Sequence, residues 1–119
     1  MSNIADSLHE LMQIDGAIMA SIVDASSGMV LAKSGVELNH EVAAAGNTEV
    51  VRAKTKTMRA LGLAGRIDDI LITLDQQYHI ITLVKGKDGL FLYTVLDKAK
   101  ANLALARYKA NEIQAGLIF

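Results

Sequence analysis

The stretch DGAIMASIVDASSGMVLAKSG, residues 15–35, decides how the rest of the chain is read. From Ala17 to Asp24 both alternating sets are apolar or small, Ile18, Ala20 and Ile22 on one side and Met19, Ser21 and Val23 on the other. A strand solvated on one face would alternate, so this one is expected to be covered on both and to lie centrally in a sheet. DASSG, Asp24 to Gly28, then supplies an Asp side chain that can accept from backbone amides and a Gly free to take positive φ, the chemistry of a tight turn. Met29 to Lys33 returns as a second strand, making a hairpin.

Working outward, Ser2 or Asn3 can cap a first helix in which Ile4, Leu8, Leu11 and Met12 recur at helical spacing, with Gly16 just past its end. Downstream, Asn39 to Leu61 carries no strand signal, no Pro and no paired Gly, so a helix capped by Asn39 is predicted. At about 100° per residue, Val42, Ala43, Gly46, Val50, Ala53, Thr57, Ala60 and Leu61 form one stripe, mostly small, which is expected to sit on the sheet. Beside it lie Ala44, Val51 and Met58, while Glu49, Arg52, Lys56 and Arg59 gather on the remaining side.

After the loop LGLAG, Ile70 to Leu74 and Tyr78 to Lys85 are β-branched, alternating runs separated by Asp75, Gln76 and Gln77, the pattern of a hairpin. GKDG, Gly86 to Gly89, turns the chain into Leu90 to Leu96. Asp97 is a candidate cap for a last helix with Ala99, Leu103, Ala106, Ala110 and Ile113 on one face, ended by Gly116 before an apolar tail, Leu117, Ile118 and Phe119. Five strands, a helix between the second and third and one at each end make an antiparallel α+β sandwich. Connectivity does not fix strand order, but a helix of roughly 34 Å can cross a sheet about 19 Å wide, so the second and third strands are allowed to be its edges.

Composition narrows the function. With 119 residues, one domain spanning 1–119 is expected. A chain that is 51% hydrophobic and 21% charged with net charge −1 is neither disordered nor able to displace counterions from nucleic acid. The absence of Cys removes thiol catalysis, disulfides and cysteine-ligated zinc. MSNIADSLHEL lacks a cationic segment before an apolar one, and no apolar run approaches the ~18 residues of a membrane span, so no membrane insertion and a cytoplasmic location are expected.

Taken with the alanine-rich central helix, DGAIMASIVDASSGMVLAKSG (15–35), DDILITLDQQYHIITLV (68–84) and GLFLYTVLDKAKANLALAR (89–107) resemble the Roadblock (dynein light-chain) family over almost the whole chain. The resemblance implies a Roadblock/profilin-like sandwich, its sheet ordered 2-1-5-4-3 with the long helix on one face and the terminal helices on the other. It further implies homodimers in which third strands pair across a two-fold axis and long helices pack side by side. Bacterial members are partners or regulators of small Ras-like GTPases; eukaryotic members are dynein subunits or signalling scaffolds.

No residue pattern points to catalysis. Serines 2, 7, 21, 26, 27 and 34 and histidines 9, 40 and 79 include no nucleophile elbow and no HExxH spacing. GLAGR and GKDG are too short for a phosphate-binding loop. No catalytic, cofactor or metal residue is therefore assigned. Glu49, Arg52, Lys56 and Arg59 are read either as a solvated helix face or, given the resemblance, as a GTPase contact. Val51 and Met58, outside the stripe expected to face the sheet, together with the edge-strand residues Ile70, Ile72 and Leu74, are expected to form the dimer interface. The expectation is a non-enzymatic homodimeric regulator or scaffold for a small GTPase or a motor or signalling complex. The alternative is a small-ligand sensor of PAS/GAF type, against which the 4% aromatic content speaks.

Overall fold

A computed structural model describes residues 3–36, 38–87 and 89–118. The elements run α1 (Ile4–Met12), β1 (Ala17–Asp24), β2 (Met29–Ser34), α2 (His40–Ala60), β3 (Asp69–Thr73), β4 (Gln77–Leu83), β5 (Leu90–Asp97) and α3 (Leu103–Ala115). All five strands join one antiparallel sheet in the order β2-β1-β5-β4-β3. The strands with the most continuous apolar sequence, β1 and β5, are adjacent inside the sheet, and β2 and β3 are its edges.

The sheet separates two cores. Ala20, Ile22, Ile80, Leu92 and Leu96 point to the side covered by α1 and α3, meeting Leu11, Ile14, Ala106, Ala110 and Ile113. Met19, Val23, Ile81, Phe91, Tyr93 and Val95 point to the other side and meet Ala44 and Val51 of α2. Strand residues buried on both faces explain why β1 and β5 read as unbroken apolar runs.

Local chemistry accounts for the boundaries. Asn3 and Asn39 cap α1 and α2 by accepting from the amides of Asp6 and Val42; Ser2, the other cap considered, lies outside the described residues. In the β1–β2 turn the Asp24 carboxylate accepts from the Ser26 amide at 2.9 Å and the Ser26 hydroxyl at 2.6 Å, and Gly28 takes φ +76°. The turn expected at Gly86–Gly89 contains Asp88, and the apolar tail contains Phe119; both of those residues lie outside the described ones.

Two expectations are corrected, and β2 shows a feature that no expectation covered. The last helix starts later: Asn102, not Asp97, accepts from the Leu105 amide, while Asp97 bonds the Ala99 amide inside a turn, so Ala99 is outside the helix. β2 carries an irregularity that the sequence does not announce: Ile22 pairs with Ala32 and Val23 with Val30, leaving Leu31 as an extra residue, exposed with Met29 on the open edge. The second correction concerns which side of α2 meets the sheet. Ala44, Thr48 and Val51 are buried, Val51 to 9% exposure, and Met58 is half-buried on the same side. Val42 (69% exposed), Val50 (36%) and Leu61 (65%), expected beneath the helix, face away from its core. The true inner line lies roughly 140° round the helix from the expected one at about 100° per residue.

Candidate functional site

The flanks of α2 are oriented by polar contacts. Glu41 pairs with Lys33 of β2 at 2.8 Å, and the Arg52 guanidinium donates to the carbonyls of Ala25 and Ser26 at 2.8 and 3.1 Å. That flank therefore lies above β2 and the β1–β2 turn. On the opposite flank lie Ala43, half-buried against the core on that side of the sheet, and Val50, Thr57 and Leu61, all exposed. Gly46 and Ala53 crown the helix between the flanks. The outward stripe is thus the small, apolar one.

Below it, Ile70 and Ile72 of β3 and His79 of β4 occupy the α2 side of the sheet and are only half-buried, because α2 lies over the β2 half. Leu74 follows β3 and is exposed. Ile70, Ile72 and Leu74 therefore stand together at the open β3 edge, whereas Val51 belongs to the subunit's own core and Met58 is half-buried on the same side of α2. The exposed apolar residues of the helix stripe and the half-covered sheet margin lie on the same side of the sheet.

β3 is held at its start by Asp69, whose carboxylate takes two hydrogen bonds from Arg107 of α3 at 2.8 and 2.9 Å. This bidentate pair fixes the edge strand and raises the Arg107 pKa above its ordinary value through the bond to Asp69. Sequence reasoning missed it, since nothing marks two residues 38 positions apart as partners.

Of the charged set, Arg52 is a brace: besides the two carbonyls it meets Glu49 at 3.5 Å. Arg52→Ala is expected to lower the unfolding free energy by about 1 kcal/mol, read from the urea midpoint, because two turn carbonyls lose a charged donor at a solvent-exposed site. Arg52→Lys recovers only part, since a point charge cannot serve both carbonyls as a planar fork does. Glu49, Lys56 and Arg59 are exposed.

The three histidines lie in separate places. His9 is exposed on α1, His40 is buried with Nε2 donating to the Gly35 carbonyl at 2.7 Å, and His79 sits between Tyr93 and Gln77. The Tyr93 hydroxyl donates to His79 Nδ1 at 2.8 Å and His79 Nε2–H donates to Gln77 Oε1 at 2.9 Å, an arrangement that suits neutral imidazole. Burial lowers the His79 pKa and raises that of Tyr93. The unfolded chain thus takes up a proton at His79 more readily than the folded one, and stability rises with pH there. Unfolding midpoints are expected to fall as pH drops below the ordinary value of 6.5, and His79→Gln should flatten that decline. Asp24, held down by the Ser26 hydroxyl and amide, and Glu41, held down by Lys33, act only at lower pH, as acid approaches their ordinary values of 3.8 and 4.5. Among the described residues no three His, Asp or Glu come together as a metal site, and no helix is long and apolar enough to cross a membrane.

The five-stranded order and the three-helix α+β arrangement match known structures. A Roadblock/LC7 domain from Streptomyces avermitilis superposes with TM-score 0.81 over 95% of this chain and 92% of that one, at 15% identity. The fold is that of the Roadblock/LC7 domains. The gliding protein MglB from Thermus thermophilus gives TM-score 0.79 at 18% identity, covering 94% of this chain and 83% of that one. A structure described as MglB with tetrameric arrangement gives 0.81 at 17% identity, covering 94% and 82%. No family profile matches the sequence, and no curated protein is recognisably similar to it. At such identities the Roadblock/LC7 likeness rests on backbone geometry.

Proposed function

We propose that the whole chain acts as one non-enzymatic regulatory domain, which pairs with a second copy of itself and binds a small Ras-like GTPase or a protein of a motor or signalling complex. The observation that supports this best is the apolar outer stripe of α2, Val42, Gly46, Val50, Thr57 and Leu61, running beside Ile70 and Ile72 at an unpaired strand edge. In a two-fold dimer of the kind the family resemblance implies, β3 pairs with its copy and the two stripes close over the exposed margins. Pairing would also satisfy the open amides and carbonyls of the edge strand. Small residues on the stripe let two helices approach closely. Self-assembly in the tetrameric MglB structure lends support.

The GTPase partner rests on the resemblance together with the gliding protein among the structural neighbours. Arg52, engaged by the turn carbonyls, is a poor candidate for a catalytic arginine supplied to a GTPase; any stimulation of hydrolysis would act by ordering the GTPase's own switch loops. Two measurements test the reading. Light scattering should give twice the 12.8 kDa chain mass at micromolar concentration, and the chain immobilised on beads should retain a small GTPase from its host in one nucleotide state. A persistent monomer would sink the dimer, and failure to retain any GTPase would sink the partner assignment.

A further inference from the structure

On the α2 side of the sheet, His79 stands where the subunit's own cover runs out: it is half-buried on β4, directly across from Ile72 of the edge strand. The ring of Tyr93 meets it edge-on, with centroids 5.6 Å apart and planes at 74°, and Tyr93 is itself buried. The Tyr93 hydroxyl donates to Nδ1 and Nε2–H donates to Gln77 Oε1, so both ring nitrogens are engaged in a pattern that only uncharged imidazole completes. A proton on Nδ1 turns that acceptor into a donor aimed at the Tyr93 oxygen, and the hydroxyl hydrogen then needs another acceptor inside the core. The surroundings offer a cation little. On β3 the same face carries Ile70 and Ile72, while Asp69 is held by Arg107 of α3 on the other side of the sheet. On β5 it carries Tyr93, Val95 and Asp97, the last with its carboxylate bonded by the Ala99 amide. Asp75 is exposed in the β3–β4 turn, and Lys54, which at about 100° per residue shares an α2 flank with Ala43 and Leu61, is exposed as well. Among the described residues the hydrogen-bond partners of the ring, Tyr93 and Gln77, are both uncharged.

We propose that self-association is proton-sensitive through His79: two copies pair while the imidazole is neutral, and protonating it drives them apart. The inference rests on the pairing proposed above and adds its regulation. In a lone subunit, water reaches the open side of the ring and solvates a positive charge. In a pair closed over Val50 and Ile72 that side is covered, and a charge there lies among apolar residues with neither water nor a bonded carboxylate to receive it. Two-fold symmetry repeats the cost, once in each subunit. Covering therefore holds the proton affinity of the ring lower in the pair than in the subunit, as partial burial already does within one subunit. Association then releases protons, is strongest above the ordinary value of 6.5 and weakens as pH falls below it. The other histidines lie away from the β3 edge, His9 on α1 and His40 against Gly35 at the end of β2, the opposite edge strand.

The test is sedimentation of the full chain over a concentration series at about pH 7.5 and about pH 5.5, either side of the range in which histidine titrates. The dissociation constant should rise about tenfold at the lower pH, roughly threefold from each of the two rings, with the far-ultraviolet circular dichroism unchanged. His79→Gln, which stays uncharged, should pair at both pH values with less than about a twofold difference. Tyr93→Phe removes the hydroxyl that occupies Nδ1 and should move the loss of pairing to higher pH. Proton NMR of the wild-type chain should show the His79 ring charging over the same pH interval in which the mass falls. A dissociation constant indifferent to pH, an equal response in His79→Gln, a ring that charges while the pair stays intact, or loss of the folded dichroism signal at the lower pH would each overturn the proposal. A monomer at the higher pH removes the pairing itself, whereas a pair that persists unchanged at the lower pH removes only its proton sensitivity.

Discussion

Gly35→Val is expected to abolish folding, or to leave a chain weakened by roughly 4 kcal/mol or more, out of the roughly 5–15 kcal/mol typical of a domain. Gly35 follows β2 with φ +87°, and a Cβ built there would lie 2.5 Å from the Ile18 carbonyl oxygen, 2.6 Å from Met19 Cβ and 2.8 Å from Met19 Cα. These atoms belong to β1, held by β2 on one side and β5 on the other, so they have nowhere to retreat. The left-handed conformation adds about 1–2 kcal/mol for any residue with a Cβ, more for a branched one. His40, whose ring donates to the Gly35 carbonyl, would lose its anchor as well. Gly62→Val is the control: its φ is +71° but nothing lies within 4 Å of the added Cβ, so only the backbone cost should appear. Urea denaturation of both variants followed by circular dichroism separates close approach from backbone preference. Equal losses would show that the packing of Gly35 on β1 has been overrated.

Much of the fold is legible because local chemistry and pattern agree. A strand apolar on both alternating sets, an Asp-to-Gly turn and two Asn caps each have a single physical reading, and β1, the first hairpin, α1 and α2 follow from them. Asp97 misleads because Asp serves turns as readily as helix caps; the helix begins where Asn102 can reach the Leu105 amide, after the 97–100 turn. The β2 irregularity is invisible because an extra residue in an edge strand changes pairing without changing composition.

The facing of α2 is the instructive failure. Periodicity finds two apolar lines on this helix, and nothing in periodicity distinguishes the line that meets the sheet from the line left exposed. The contest is decided by partners outside the helix: Lys33 for Glu41, the 25–26 carbonyls for Arg52 and the sheet-side core for Ala44 and Val51. Those anchors set the roll of the helix, and the valine-and-small-residue line is left outside. An apolar line outside the core does exist on α2, but it runs through Val42, Val50 and Leu61 and not through Val51 and Met58, the residues expected there; Ile70, Ile72 and Leu74 lie at the β3 margin.

That exchange gives a sharp experiment on two adjacent valines. Val51→Ala removes methyl groups from a side chain packed beneath α2 and is expected to cost roughly 2 kcal/mol of subunit stability while leaving association intact. Val50→Glu, one residue earlier on the outward stripe, should change the stability of an isolated subunit by less than about 0.5 kcal/mol. In the proposed dimer, however, the carboxylate would lie buried against the copy without a partner, and pairing should weaken by roughly 3 kcal/mol, more than two orders of magnitude in Kd. Sedimentation across a concentration series reads association, and denaturation at concentrations well below the dissociation constant reads the subunit alone, free of the coupling between assembly and apparent stability. If Val51→Ala dissociates the pair and Val50→Glu does not, the outward stripe is not the contact, and the surfaces assigned to core and partner must be exchanged again.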